Sequence, residues 1–139
     1  MLLTIEKVII LKSVSIFSDI PEETLAEVSL IMEEMIVAPG KSIVTKGDVG
    51  RSMYIIIDGK VQVHDQNREI AVLGEREIFG ELAALSPEPR MASVTAIDET
   101  HLFRIDYETL QDLISENPDL AQGIIQVLCN RIRSLSKVR

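Results

Sequence analysis

The sequence predicts an α+β fold: a β jelly-roll, or double-stranded β-roll, flanked by N-terminal and C-terminal helices, with one short helix inside the roll. Three observations predict it. Residues 34 to 105 are a succession of short β-branched runs (IVAP, SIVT, MYIII, KVQVH, EIAVL, ASVTAI and HLFRI) cut by Gly40, Gly47, Gly50, Gly59 and Gly74, the texture of many short strands joined by turns. On both sides of this region the apolar spacing lengthens to the three-to-four-residue period of helices. The stretch FGELAALSPEPRMASV, residues 79 to 94, is the one helical interruption among the strands. With 139 residues, 46% of them apolar, there is material for one core, so a single domain over 1–139 is expected, with helices at about 4–33, the roll at about 34–105 and terminal helices at about 106–139.

At the N-terminus Ile5, Val8 and Ile9, then Leu25, Val28, Ile31 and Met32, recur at helical spacing, and Pro21 opens the second run as a first-turn proline, so two short helices are expected. The opening MLLTIEKVIIL is broken by Glu6 and Lys7 and no small-residue cleavage site follows, so it is expected to be helix and not a secretion signal. No apolar run is long enough to span a membrane. Inside the roll, Gly80 to Leu85 is too short for a core helix; Pro87 and Pro89 end it and set Arg90 at the mouth of the next segment. After the roll, Asp106 is the expected N-cap of YETLQDLISEN, and Asn117-Pro118 opens a last helix. There Leu120, Ile124, Val127, Leu128, Ile132 and Leu135 form an apolar stripe for packing on the roll. Gly123 interrupts that helix at a cost of about 1 kcal/mol relative to alanine, which marks a close contact or a hinge.

Composition removes several function classes. Acidic residues outnumber basic ones 22 to 14, which argues against a nucleic-acid surface. Arg131, Arg133, Lys137 and Arg139 cluster at the end, leaving −12 for the rest of the chain, and read as cations complementing a helix C-terminus. The lone Cys129 excludes an internal disulfide and fits a reducing, cytoplasmic setting. APGKS, residues 38 to 42, imitates the end of a phosphate-binding P-loop, but the first glycine of that pattern falls on Met35. His64 and His101 stand alone, without the paired histidine and carboxylate spacing of a metal site. No nucleophile elbow, zinc-protease helix or cysteine cluster is present, so no catalytic residue, metal or cofactor is expected. Glu22-Glu23 and Glu33-Glu34 read as solvated faces, and Met32, Met35 and Met53 as core filling.

The chemistry concentrates in the interrupting stretch. Gly80 lets a ligand approach the backbone, and the N–H groups that follow it favour an anion. An arginine such as Arg90 binds phosphate through charge-assisted, often bidentate hydrogen bonds, and a carboxylate such as Glu81 accepts from a sugar hydroxyl. Phosphate plus ribose means a nucleotide. From the spacing alone a second reading stays open, in which Glu81 and Arg90 pair with each other across the loop.

FGELAALSPEPRMASV, together with LKSVSIFSDIPEETL, KGDVGRSMYIIIDGKVQV and NPDLAQGIIQVLCNRI, resembles the cyclic nucleotide-binding domains of cAMP-dependent protein kinase regulatory subunits, cyclic-nucleotide-gated channels and bacterial catabolite activator proteins, in order and spacing over nearly the whole chain. The resemblance implies that Glu81 accepts from the ribose 2′-hydroxyl, that Arg90 binds the cyclic phosphate, and that backbone groups of Gly80, Leu82, Ala83 and Met91 complete the cradle. It makes Leu73 and Phe79 apolar pocket walls. Met91 stands where cGMP-selective members carry a threonine, which favours cAMP, and Ser136 lies near where bacterial activators present a hydroxyl to the adenine amino group. In the family the last helix closes over the base and, in the bacterial activators, pairs with its copy in a homodimer. Two departures stand out: Arg76 replaces the glycine of L-x-x-G-x-x-F-G-E, and Pro87 and Glu88 are unusual fillers of the cassette, Glu88 placing a like charge near an anion.

The leading expectation is therefore a non-enzymatic regulatory domain that senses cAMP or cGMP, makes no direct DNA contact itself and serves an effector outside this chain. A structural or interaction domain that keeps the fold without binding nucleotide is the alternative, with Arg76 as its support. A third reading is the effector domain of a transcription regulator lacking its helix-turn-helix; against a whole transcription factor, such activators continue past the long helix into that motif, whereas this sequence ends at Arg139.

Overall fold

The computed structural model describes residues 2–136; Lys137, Val138 and Arg139, expected in the last helix, lie outside the described residues. Ten strands follow one another as β1 (Glu33–Val37), β2 (Ser42–Val44), β3 (Val49–Gly50), β4 (Ser52–Asp58), β5 (Val61–Asp65), β6 (Arg68–Leu73), β7 (Ile78–Phe79), β8 (Glu88–Pro89), β9 (Ser93–Ala96) and β10 (Thr100–Asp106). The helices are α1 (Thr4–Lys12), α2 (Glu22–Leu30), α3 (Glu81–Leu85), α4 (Tyr107–Glu116) and α5 (Pro118–Ser136), with a 3-10 turn at Ser15–Phe17. Among the described residues no helix is long and apolar enough to cross a membrane.

The backbone gathers into two compact units, one of them the roll, Met32–Leu110. Its strands pair antiparallel in two four-stranded sheets, β1-β10-β4-β7 and β2-β9-β5-β6, with β3 and β8 forming a small third ladder. The MYIII run becomes β4, next to β10 in the middle of the first sheet, with Ile56 opposite Leu102 and Ile55 opposite Phe103. Alternation sends Tyr54, Ile56 and Leu102 inward against Val44, Val61 and Val94. Met53, Ile55, Phe103 and Ile105, pointing the other way, are also fully buried, as a continuous apolar run requires. α3 packs against β4 and buries Ala83 and Ala84.

The helical unit comprises the segments before Met32 and after Leu110. α1 packs on α2 and the 3-10 turn on α5, enclosing Leu11, Ile16, Phe17, Ile20 and Leu25, all at 0% exposure. Each such side chain contributes about 1.5–3 kcal/mol through burial. Gly123 marks a close contact: a Cβ there would overlap the Cδ1 of Ile20. Of the expected stripe on α5, Leu120, Ile124 and Val127 are buried, whereas Ile132 and Leu135 are 63% and 74% exposed.

Several local expectations are corrected. The N-terminal helical region ends at Leu30, and Glu33 already belongs to β1 with Arg104 opposite, because its carboxylate accepts from the Arg104 guanidinium at 2.6 Å. Asp106 stands directly before α4, the N-cap position expected of it, but it also ends β10, and its carboxylate accepts from the Ser52 hydroxyl at 2.6 Å and lies 3.0 Å from Arg104 Nε. Asn117 does precede α5, but its side-chain amide donates to Leu113 O at 2.9 Å, closing the end of α4. Met53 and Met32 are buried and Met35 packs on the inner cluster, as core filling predicts. His64 is satisfied on both ring nitrogens, by Gln66 O and Thr95 Oγ1, each at 2.8 Å.

Candidate functional site

Between β7 and β9 the chain leaves the sheets as one excursion. Gly80 adopts a left-handed backbone (φ 76°, ψ 17°) that turns the chain out of β7 into α3. A side chain there would meet more than backbone strain: its Cβ would lie 2.5 Å from Arg90 Nη1 and 2.8 Å from Ser52 O. α3 stops at Leu85, ahead of Pro87, and Pro89 lies opposite Val49 in the β3–β8 ladder. That ladder leads directly into Arg90. The Arg90 N–H donates to Asp48 O at 2.8 Å, and the Gly47 N–H donates to Arg90 O at 3.0 Å, so the arginine's main chain is held on both sides. Its guanidinium is held as well, Nη2 donating to Ser52 O at 2.8 Å.

These segments enclose a cavity of about 310 Å³. One wall is apolar, formed by Val44, Val63, Phe79 and Val94; the other is the excursion itself, residues 80–83 and 88–92. Behind Phe79 the ring of Tyr54 stacks at 4.9 Å and 19°, fixing the wall. Burial raises the Tyr54 phenol above its ordinary pKa, opposed by the charges of Arg90 and Arg104, so it remains neutral through the physiological range. A site of this kind can accept an apolar ring against the strands while a fixed cation and a carboxylate, Arg90 and Glu81, meet the polar end of the same molecule.

Of the expected site residues, Gly80, Glu81, Leu82, Ala83, Arg90, Met91 and Phe79 line this cavity together. Met91 is 85% exposed and Leu82 50% exposed. Glu88 lines it too. Leu73 is not among the lining residues: it ends β6, where alternation turns Ala71 and Leu73 inward and Val72 out, and it packs on the inner cluster that also carries the apolar wall. Ser136 is the last described residue of α5 and is exposed; it is not among the residues lining the cavity. Arg76 takes the glycine-like conformation, φ 71°, and its N–H donates to Ile56 O at 2.8 Å while Glu77 N–H closes the turn on Gly74 O at 3.0 Å. The turn is thus kept, with local strain of about 1–2 kcal/mol. Sequence reasoning missed Ser52, Asp48, Val44 and Val63. The block KGDVGRSMYIIIDGKVQV contains Asp48, Ser52 and Val63, but nothing local says that Ser52 meets a residue 38 positions away.

A cavity in a β-roll with one apolar wall, and with an arginine bonded to backbone through its N–H, its C=O and its guanidinium, has the geometry to receive a small organic anion. The family model described as "Cyclic nucleotide-binding domain" matches residues 34–117, and the chain belongs to that family. It is 29% identical over 129 residues to the CRP-like cAMP-activated global transcriptional regulator of Mycobacterium tuberculosis, covering 89% of this chain and 58% of that protein. It is 34% identical over 99 residues to the cyclic AMP receptor protein of Thermus thermophilus, covering 68% of this chain and 46% of that one. The chain therefore spans about half the length of these relatives. The N-terminal domain of a transcriptional regulator from Streptomyces coelicolor A3(2) superposes with a TM-score of 0.87 at 30% identity, covering 93% of this chain and 94% of that one. The mixed architecture of antiparallel sheets with helices at both ends is that of this family.

Proposed function

We propose that this domain is a regulatory sensor that holds a cyclic nucleotide in the cavity, prefers cAMP to cGMP, and passes occupancy to an effector through its terminal helices. The observation that carries the reading is the meeting, in one cavity of about 310 Å³, of Arg90, Glu81 and the Gly80–Ala83 backbone with an apolar wall of Phe79, Val44, Val63 and Val94. In this reading Arg90 binds the cyclic phosphate, Glu81 accepts from the ribose 2′-hydroxyl, and the base lies toward Met91. The relatives whose names include cAMP support the choice of purine. So does Met91, whose thioether is at best a weak acceptor and offers guanine no hydroxyl. One net hydrogen bond is worth about 1 kcal/mol, roughly fivefold in affinity. No chemistry on the ligand is proposed.

Competition of cGMP against labelled cAMP tests the preference. The expected result is cAMP tighter by about fivefold, narrowed or reversed by Met91→Thr. Equal affinities in the unmodified chain contradict the assignment of cAMP.

The exposed apolar pair Ile132 and Leu135 on α5 supports self-association through this helix. Light scattering should then give a dimer mass that falls to a monomer for Ile132→Glu/Leu135→Glu; a monomer in both contradicts it.

A further inference from the structure

Gly50 ends the two-residue strand β3 opposite Glu88, which stands two residues before Arg90. It is buried, and its backbone is not in the left-handed region, unlike that of Gly80, so no conformational demand explains a glycine there. Space does. The three atoms nearest to a Cβ built on Gly50 all belong to the Arg90 side chain: Nε, then Cζ at 2.5 Å and Cδ at 2.8 Å. Carbon atoms in contact sit about 3.5–4.0 Å apart, so any side chain at Gly50 and this arginine rotamer exclude each other.

We infer that Gly50 is a positioning residue for anion recognition: its missing side chain is the slot in which the stem of Arg90 lies, so that Nη2 reaches Ser52 O and the guanidinium is held at the cavity wall. This rests on the reading of Arg90 as the phosphate ligand. An alanine at Gly50 suits the backbone, and the arginine can give way by changing rotamer, so the roll survives; the bond of 2.8 Å from Nη2 to Ser52 O is what it loses. A residue that touches no ligand thereby controls where the cation stands.

The test is a cycle of four proteins: the unmodified chain, Gly50→Ala, Arg90→Ala and the double variant, each titrated calorimetrically with cAMP and each melted without ligand. Gly50→Ala is expected to weaken cAMP by about tenfold in the chain that retains Arg90 and by less than about twofold in the Arg90→Ala background, where the space is vacant. The ligand-free melts read the same coupling: Gly50→Ala lowers the melting temperature only when Arg90 is present. Binding by the unmodified chain with an equal Gly50→Ala effect in both backgrounds overturns the positioning role alone. So does failure of both Gly50→Ala proteins to fold, since the space would then be needed whatever stands at position 90. No binding of cAMP by the unmodified chain overturns the functional reading and the role in anion recognition with it.

Discussion

Arg90 is fixed before any ligand arrives: its N–H and C=O are bonded to Asp48 and Gly47, and its Nη2 to Ser52 O. A preorganised cation loses little freedom on binding, so its truncation should be felt fully in affinity. Arg90→Ala is expected to weaken cAMP by about 2–5 kcal/mol and Glu81→Ala by about 1–3 kcal/mol, since the first meets a full charge and the second a hydroxyl. Titration calorimetry on the two variants checks the order; equal, small losses would mean the pair only neutralise each other. Arg76 gives a second test at this scale. At φ 71° a β-branched side chain is worse than arginine and glycine is better. Arg76→Val should therefore lose about 1–2 kcal/mol in denaturant unfolding while Arg76→Gly loses nothing. Equal losses would mean that the turn is not held in this conformation.

Among the elements, α5 offers a prediction opposite in sign to helix propensity. Glycine to alanine in a helix interior normally stabilises by about 1 kcal/mol. At Gly123 the added Cβ would meet Ile20, a wholly buried residue, so Gly123→Ala should instead destabilise by about 1–3 kcal/mol, and Ile20→Ala should remove that penalty. Chemical denaturation of the three variants decides it, and a stabilising Gly123→Ala would contradict the packing. In the roll, the start of α4 is tied to the β3–β4 junction: Tyr107 N–H donates to Arg51 O at 2.7 Å, Arg51 Nε donates to Glu108 Oε1 at 2.6 Å, and the guanidinium lies 5.2 Å from the Tyr107 ring centre. A hydrogen bond with its own backbone and then the Arg51 contact hold the Glu108 carboxyl below the usual range, and the Lys46 ammonium does the same for Asp65. A depressed folded-state pKa means that the unfolded chain takes up protons first as acid is added. The stabilisation is present above the unfolded value and is lost as pH falls through the folded one. Melting temperature should thus decline from about pH 5 downward, less steeply for Glu108→Gln. An unchanged slope in that variant would show that the tie adds nothing.

At the scale of the molecule, what was legible in the sequence follows from how local each cause is. The β-branched runs and glycine punctuation announce the roll because burial on both faces of β4 and β10 demands them, and helical spacing announces α1, α2, α4 and α5. The two-residue strands β3, β7 and β8 were not separately legible, since each exists only through a partner distant in sequence. In the site, the cassette from Gly80 to Met91 could be read as one block because its residues lie close in sequence. Gly50 and Ser52 could not, because their reason for being there is an arginine brought to them by the β3–β8 ladder. Leu73, expected as a pocket wall, packs on the same inner cluster as Phe79 and is not among the residues lining the cavity. The central proposal is that this cavity is a cyclic nucleotide site organised around Arg90. The most direct measurement is a calorimetric titration of the unmodified chain with cAMP, cGMP and 5′-AMP. Saturable one-site binding of cAMP, tighter than both others and raising stability by about 2.7 kcal/mol at a hundredfold excess over Kd, is the predicted result. Absence of heat and of any thermal protection at millimolar cAMP and cGMP would contradict it and leave the domain as a fold that no longer binds nucleotide.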